Sequence, residues 1–183
     1  MEVFLIVTAF AISYGWGMRG TLLGHGQGAM LPGALLAILI ALFSGEATLM
    51  ENAISLGAIG GAAMYFGGDM TYGQTIGMTK DKETYYRGQI GLAWKGFLWF
   101  GVYGSLLGIG IRVLNGAIYS WQGVLVLCVF LLPLQKLGVL LFNRPHDPAN
   151  NVYPKIYFSH NRPELWGGML SILLALVVFM AVH

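Results

Sequence analysis

The residues able to do chemistry fall into a few short runs of this 183-residue chain. The first run is Gly15-Trp16-Gly17-Met18-Arg19-Gly20-Thr21-Leu22-Leu23-Gly24-His25-Gly26-Gln27-Gly28. Glycine permits positive φ and close backbone approach, and a glycine-rich turn leading into a helix start directs peptide N–H groups at one spot. Six glycines between Gly15 and Gly28 are expected to break any ordinary helix and to form an anion seat, with Arg19 supplying charge and His25 and Gln27 supplying directional hydrogen bonds. Neither the P-loop nor the dinucleotide fingerprint is present. A flexible interfacial loop, or a stretch that re-enters the membrane, is the alternative reading.

The second run, Gly67-Gly68-Asp69-Met70-Thr71-Tyr72-Gly73-Gln74-Thr75, leaves an apolar stretch and carries Asp69, Tyr72 and Gln74. A carboxylate at the edge of an apolar span is costly unless partnered, so Asp69 calls for Arg19, Lys95 or Lys136. That pairing is either structural or a contact for substrate or proton. Lys95 and Lys136 each lie about 10 Å inside an expected helix, at 1.5 Å per residue. Both can snorkel to the interface, while ionisable groups within spans commonly face a bundle interior or an aqueous cavity. The candidate binding set is therefore Arg19, His25, Gln27, Asp69, Tyr72, Gln74 and Lys95.

Other chemistries find no pattern. His146 and Asp147 could join His25 or His160 around a metal, but the spacing matches no zinc motif and no cysteine is near. Ser13, Ser105, Ser171 and Cys128 sit in apolar runs and read as packing positions, and the eight acids are scattered rather than paired. No catalytic residue, metal, cofactor or nucleic-acid partner is expected.

The elements that must position these groups follow from where charge is absent. Only 10% of residues are charged and 56% are hydrophobic, with a mean hydropathy of +0.67. A soluble domain carries roughly 25% charged residues, so the chain lacks the charge to cover a water-facing surface. The charge-free stretches are 3–18, 20–45, 52–68, 96–111, 113–135 and 165–183. A helix crossing about 30 Å of hydrocarbon needs about 20 residues, with about 17 as the floor. The reading is an all-α, polytopic integral membrane protein forming one domain over residues 1–183. Its six transmembrane helices are expected near 3–18, 29–45, 52–68, 88–111, 117–142 and 165–182. A β-barrel is excluded by runs such as Leu35-Leu36-Ala37-Ile38-Leu39-Ile40, apolar on both faces. Met1-Glu2 leads directly into Val3-Phe4-Leu5 with no basic first segment, so the first helix is expected to be retained.

Orientation and packing are also legible as expectations. Arg19, Lys80, Lys82, Arg87, Arg144, Lys155 and Arg162 fall in loops one, three and five, against Arg112 alone in loops two and four. By the positive-inside rule those three loops are cytoplasmic and both termini face outward. Gly57 with Gly61 and Gly104 with Gly108 stand four apart, a spacing that lets helix backbones approach, so the third and fourth helices are the expected close pair. Tyr14, Trp16, Tyr85, Tyr86, Trp121, Tyr157 and Trp166 read as interfacial anchors. Asn161-Arg162-Pro163-Glu164 reads as a helix start, with Asn161 capping, Pro163 in the first turn and Glu164 at the positive end.

The functional expectation is a channel or carrier for a small polar or anionic solute, with a site opening to the cytoplasm. Six helices are few for a carrier, so a homo-oligomer or a partner membrane subunit is expected besides the bilayer itself. The alternatives are a membrane enzyme using His25, Arg19 and Lys95 on a phosphorylated lipid headgroup, and a non-catalytic subunit of a larger membrane complex.

Overall fold

The computed structural model describes residues 2–182 except 69, 71 and 117–120, and gives only the backbone of Trp121, Gln122, Leu125 and Cys128. The chain is all-α, and no strand occurs among the described residues. The helices are α1 (Glu2–Gly17), α2 (Gly24–Phe43), α3 (Ala47–Glu51), α4 (Ala53–Gly68), α5 (Gly73–Met78), α6 (Tyr85–Leu114), α7 (Trp121–Phe142) and α8 (Trp166–Val182). Two of them, α2 and α6, are long and apolar enough to cross a membrane. The apolar helices α1, α4 and α8 are shorter, as is the stretch Val129–Phe142 of α7.

The six longer helices fall near the six expected, with one substantive correction. The glycine-rich run is not an extended loop. Helix α1 continues to Gly17, a 3-10 turn covers Met18–Gly20, and α2 begins at Gly24, so Gly26 and Gly28 are helical while Gly24 opens the helix at a positive φ of 72° that favours glycine. Packing overrides weak helix propensity here. A Cβ on Gly28 would stand 2.6 Å from Arg19 Cα, and one on Gly68 would stand 2.9 Å from the Ala29 Cβ and the His25 carbonyl oxygen. The glycines are what let the turn, α2 and the end of α4 come together.

The helices pack in the order α1, α2, α4, α6, α8, α7, each against its neighbours in that order, with α5 laid on α6. The expected close pair is corrected too. The most extensive crossing is α2 on α4, where a Cβ on Gly33 would lie 2.5 Å from the Gly60 carbonyl oxygen and one on Gly60 would lie 2.6 Å from the Gly33 carbonyl oxygen. Gly57 and Gly61 serve that same crossing, against Ile38 and Met30. Gly104 and Gly108 face open space. Spacing within one helix says that a close approach is possible but not which neighbour uses it. A second close crossing joins α7 to α8, where Gly138 and Gly167 each meet the other's carbonyl oxygen.

Helix α6 is tied to both α2 and α4 by hydrogen bonds from its buried aromatic residues. The Tyr103 hydroxyl donates to the Gly33 carbonyl oxygen at 3.0 Å, and Trp99 Nε1 donates to the Met64 carbonyl oxygen at 3.2 Å. Among the expected anchors, Tyr14 and Tyr86 are exposed, but Trp166 is buried in the core against Trp94, Phe142 and Phe158.

Candidate functional site

Lys95 lies three turns from the start of α6, and its side chain is fully buried. Its Nζ stands 3.0 Å from Oε2 of Glu164, which is equally buried, and donates to the Thr75 hydroxyl at 2.8 Å. The Thr75 hydroxyl in turn donates to the Phe158 carbonyl oxygen at 2.8 Å, and the Phe158 N–H donates to Glu164 Oε1 at 2.7 Å. These bonds close a ring through four residues from three elements: α5, α6 and the segment that precedes α8. A buried charge is tolerated when paired and hydrogen-bonded, and the ring supplies both conditions.

The ring corrects two expectations. Lys95 does not snorkel, and Glu164 does not serve the start of α8. That helix begins at Trp166, with the Leu165 carbonyl oxygen accepting from the N–H groups of Gly168 and Met169. Glu164 turns inward instead, where it pairs with the equally buried Lys95. The nearest cap-like side chain is Asn143, whose Oδ1 accepts the Gly167 N–H at 2.8 Å. Lys136 is exposed.

Arg19 occupies a different niche. Its guanidinium donates to the Gly68 carbonyl oxygen at 2.6 Å and to the His25 carbonyl oxygen at 3.3 Å. It also lies over the rings of Trp16 and Trp99, at 4.6 and 5.4 Å from their centroids. Tyr72 packs on Trp99 at 5.3 Å, and its hydroxyl is buried without a hydrogen-bond partner among the described residues. Burial pushes the Tyr72 phenol well above the ordinary tyrosine range, with the Arg19 charge opposing. His25 contributes its backbone carbonyl rather than its ring, and both His25 and Gln27 are exposed. Asp69 lies outside the described residues.

Gln74 carries the polar surface outward from the ring. Its Oε1 accepts the Asn161 N–H at 3.1 Å and pairs with the Ser159 hydroxyl. Neighbouring residues on both strands of this seam therefore do related work: Gln74 and Thr75 on α5 grip Asn161, Ser159 and Phe158 on the segment ahead of α8. Outside the seam lies an open groove of about 350 Å³, lined by Gln74, Gly77, Met78, Asp81, Thr84, His160 and Asn161. Arg87 on α6 lies over the Tyr157 ring at 4.9 Å.

Of the sequence candidates, Arg19 and Tyr72 thus gather around Trp99, one helical turn along α6 from Lys95, while Gln74 adjoins Thr75. Thr75 and Trp99 were not singled out from the sequence, and Glu164 was read only as a helix-start residue. The rule that an acid beside an apolar span needs a cation, applied to Glu164 as it was to Asp69, puts Lys95 among its candidate partners. Among the described residues, no group of three His, Cys, Asp or Glu side chains is placed to hold a metal. Comparison of the chain with family models, curated proteins and solved structures found no match.

Proposed function

We propose that this chain is a multi-pass α-helical membrane protein, a channel or carrier, that moves a small polar solute through a site opening to the cytoplasm. The observation that carries the reading is the Lys95–Thr75–Phe158–Glu164 ring, buried among apolar helices one residue behind the Gln74 and Ser159 contact that borders the groove. Ionisable groups inside apolar spans are costly and commonly mark polar pathways. Exposed apolar side chains on the two outermost helices, including Phe10 on α1 and Val129, Phe130 and Leu140 on α7, suit a lipid-facing surface.

The bias of Lys and Arg towards loops one, three and five supports a cytoplasmic groove, with both termini outside. Arg19, Arg87 and Lys95 are each engaged with protein groups, so a polar or anionic solute is met by other groups on this face, where Lys80, Lys82 and Arg162 adjoin the groove-lining Asp81 and Asn161 in sequence. The headgroup-enzyme reading asks Arg19 and Lys95 to hold one phosphate, and they serve different partners. A second copy or another membrane subunit completes the transport unit.

The test is flux. Purified protein in liposomes is given a panel of small labelled solutes, and the lumen contents are analysed by mass spectrometry. Transport predicts uptake of an unchanged solute. Uptake indistinguishable from empty liposomes across the panel, or chemical turnover of a lipid headgroup, refutes it.

A further inference from the structure

We infer that the outward face of α7 holds an acidic glycerophospholipid of the cytoplasmic leaflet, with its phosphate on Lys136 and its acyl chains on the apolar stripe beside it. The inference rests on the membrane reading above and not on transport. Among the described helices, two basic residues lie more than one turn inside an end, Lys95 and Lys136. Lys95 turns inward to Glu164. Lys136 turns outward, exposed, with no hydrogen bond or ion pair among the described residues. Val129, Leu132 and Leu140 share its side of the helix at spacings of three and four, and each is more than half exposed. A cation on an apolar membrane surface is costly unless an anion meets it.

Position along the helix says which anion. Phe142 ends α7 six residues after Lys136, which sets that residue about 9 Å inside the helix end. Loop five follows, on the cytoplasmic side by the positive-inside rule. From that depth an ammonium snorkels to the layer of lipid phosphates. Arg144, exposed two residues past the helix end, adds a second positive charge there. Leu132 and Val129 lie on the other side of Lys136, towards the membrane centre, so cation and stripe follow the order of headgroup and tail. A zwitterionic lipid brings its own ammonium to these bases, whereas an acidic one brings uncompensated negative charge. A second copy answers Lys136 less well, because the acids of this chain sit at or beyond the ends of its helices.

Phosphatidylglycerol is the probe, with phosphatidylcholine and inorganic phosphate as the opposing probes. Each lipid is titrated into the full chain in detergent, and bound lipid is read by native mass spectrometry for the wild type, Lys136→Gln and Lys136→Arg. Lys136 is exposed, so neither substitution touches the core, and circular dichroism checks the fold. The expected result is saturable phosphatidylglycerol binding, stronger than that of phosphatidylcholine, that falls about fivefold in Lys136→Gln and is kept in Lys136→Arg. Inorganic phosphate should not displace the lipid, since it has nothing to lay on Val129 and Leu132. Equal binding of the two lipids, phosphatidylglycerol binding indifferent to Lys136→Gln, or displacement by inorganic phosphate overturns the inference. So does a membrane protein that co-purifies with the wild type and is lost in Lys136→Gln, which gives Lys136 to a protein partner.

Extraction of membranes with alkaline carbonate separates the inference from the reading on which it rests. A chain released by carbonate refutes the membrane reading and the lipid site together. A chain retained in the membrane, but without Lys136-dependent preference for phosphatidylglycerol, upholds the membrane reading and refutes the lipid site alone.

Discussion

Glutamine at position 164 would keep the shape of the side chain and an acceptor for the Phe158 N–H while removing the charge that faces Lys95. Both side chains of the pair are at 0% exposure and 3.0 Å apart. Removing one partner of a buried pair costs about 3–5 kcal/mol, because the remaining charge is left in an apolar setting. For a chain of this length each kcal/mol moves the unfolding midpoint by about 2–4 °C, so Glu164→Gln is expected to lower it by about 6–20 °C. Lys95→Met alone strands the carboxylate in the same way. The double variant Lys95→Met with Glu164→Gln removes both charges, and apolar replacement of a whole pair is often neutral or stabilising. It should therefore unfold later than either single variant. Thermal unfolding in detergent, followed by far-ultraviolet circular dichroism, gives all three values. The reasoning is refuted if Glu164→Gln shifts the midpoint by less than about 1 °C, or if the double variant loses the sum of the two single losses, since additivity means that the groups do not interact.

Other substitutions probe the packing and the Arg19 niche. Gly60→Ala places a methyl 2.6 Å from both the Ala37 Cβ and the Gly33 carbonyl oxygen, so it should destabilise by about 1–3 kcal/mol in the same unfolding assay. Gly104→Ala meets nothing within 4 Å and should stabilise by about 0.5–1 kcal/mol through helix propensity, so the reverse order of these two variants would contradict the α2–α4 crossing. Arg19→Lys keeps the charge but loses the planar fork that reaches two carbonyl oxygens while lying over Trp16. It should cost about 1–3 kcal/mol and change the tryptophan emission, and an unaltered spectrum with unaltered stability would count against the niche.

How far the sequence could be read depended on whether the deciding physics was local. The longer helices were legible because scarcity of charge over some 16 or more residues is a property of a single stretch. The glycine-rich run was misread for the converse reason. Taken alone, Gly26 and Gly28 weaken a helix, but Gly28 lies against Arg19 and Gly26 against Gly68 at the end of α4, a closeness that a side chain would block. The partner of Lys95 was missed because Glu164, 69 positions later, was read only against its own neighbours, Asn161 and Pro163. Gly57 and Gly61 signalled a close crossing correctly but were assigned the wrong partner, since a small-residue face carries no address. Arg19, Tyr72 and Gln74 were found because a polar side chain beside an apolar span needs an explanation wherever it lies. What each touches depended on Trp99, Gly68 and Ser159, which no spacing rule connects to them.

The account stands on the chain crossing the bilayer with the seam between α5 and the segment ahead of α8 at one face. With Cys128, the single cysteine, replaced by alanine, cysteines are introduced one at a time at Lys82, Asn161, Glu46 and Asn115. A membrane-impermeant maleimide is then applied to right-side-out and inverted vesicles. The account predicts that positions 82 and 161 label only from the cytoplasmic side and positions 46 and 115 only from the other. Labelling of 82 and 161 from opposite faces, or of 46 and 82 from the same face, would contradict it.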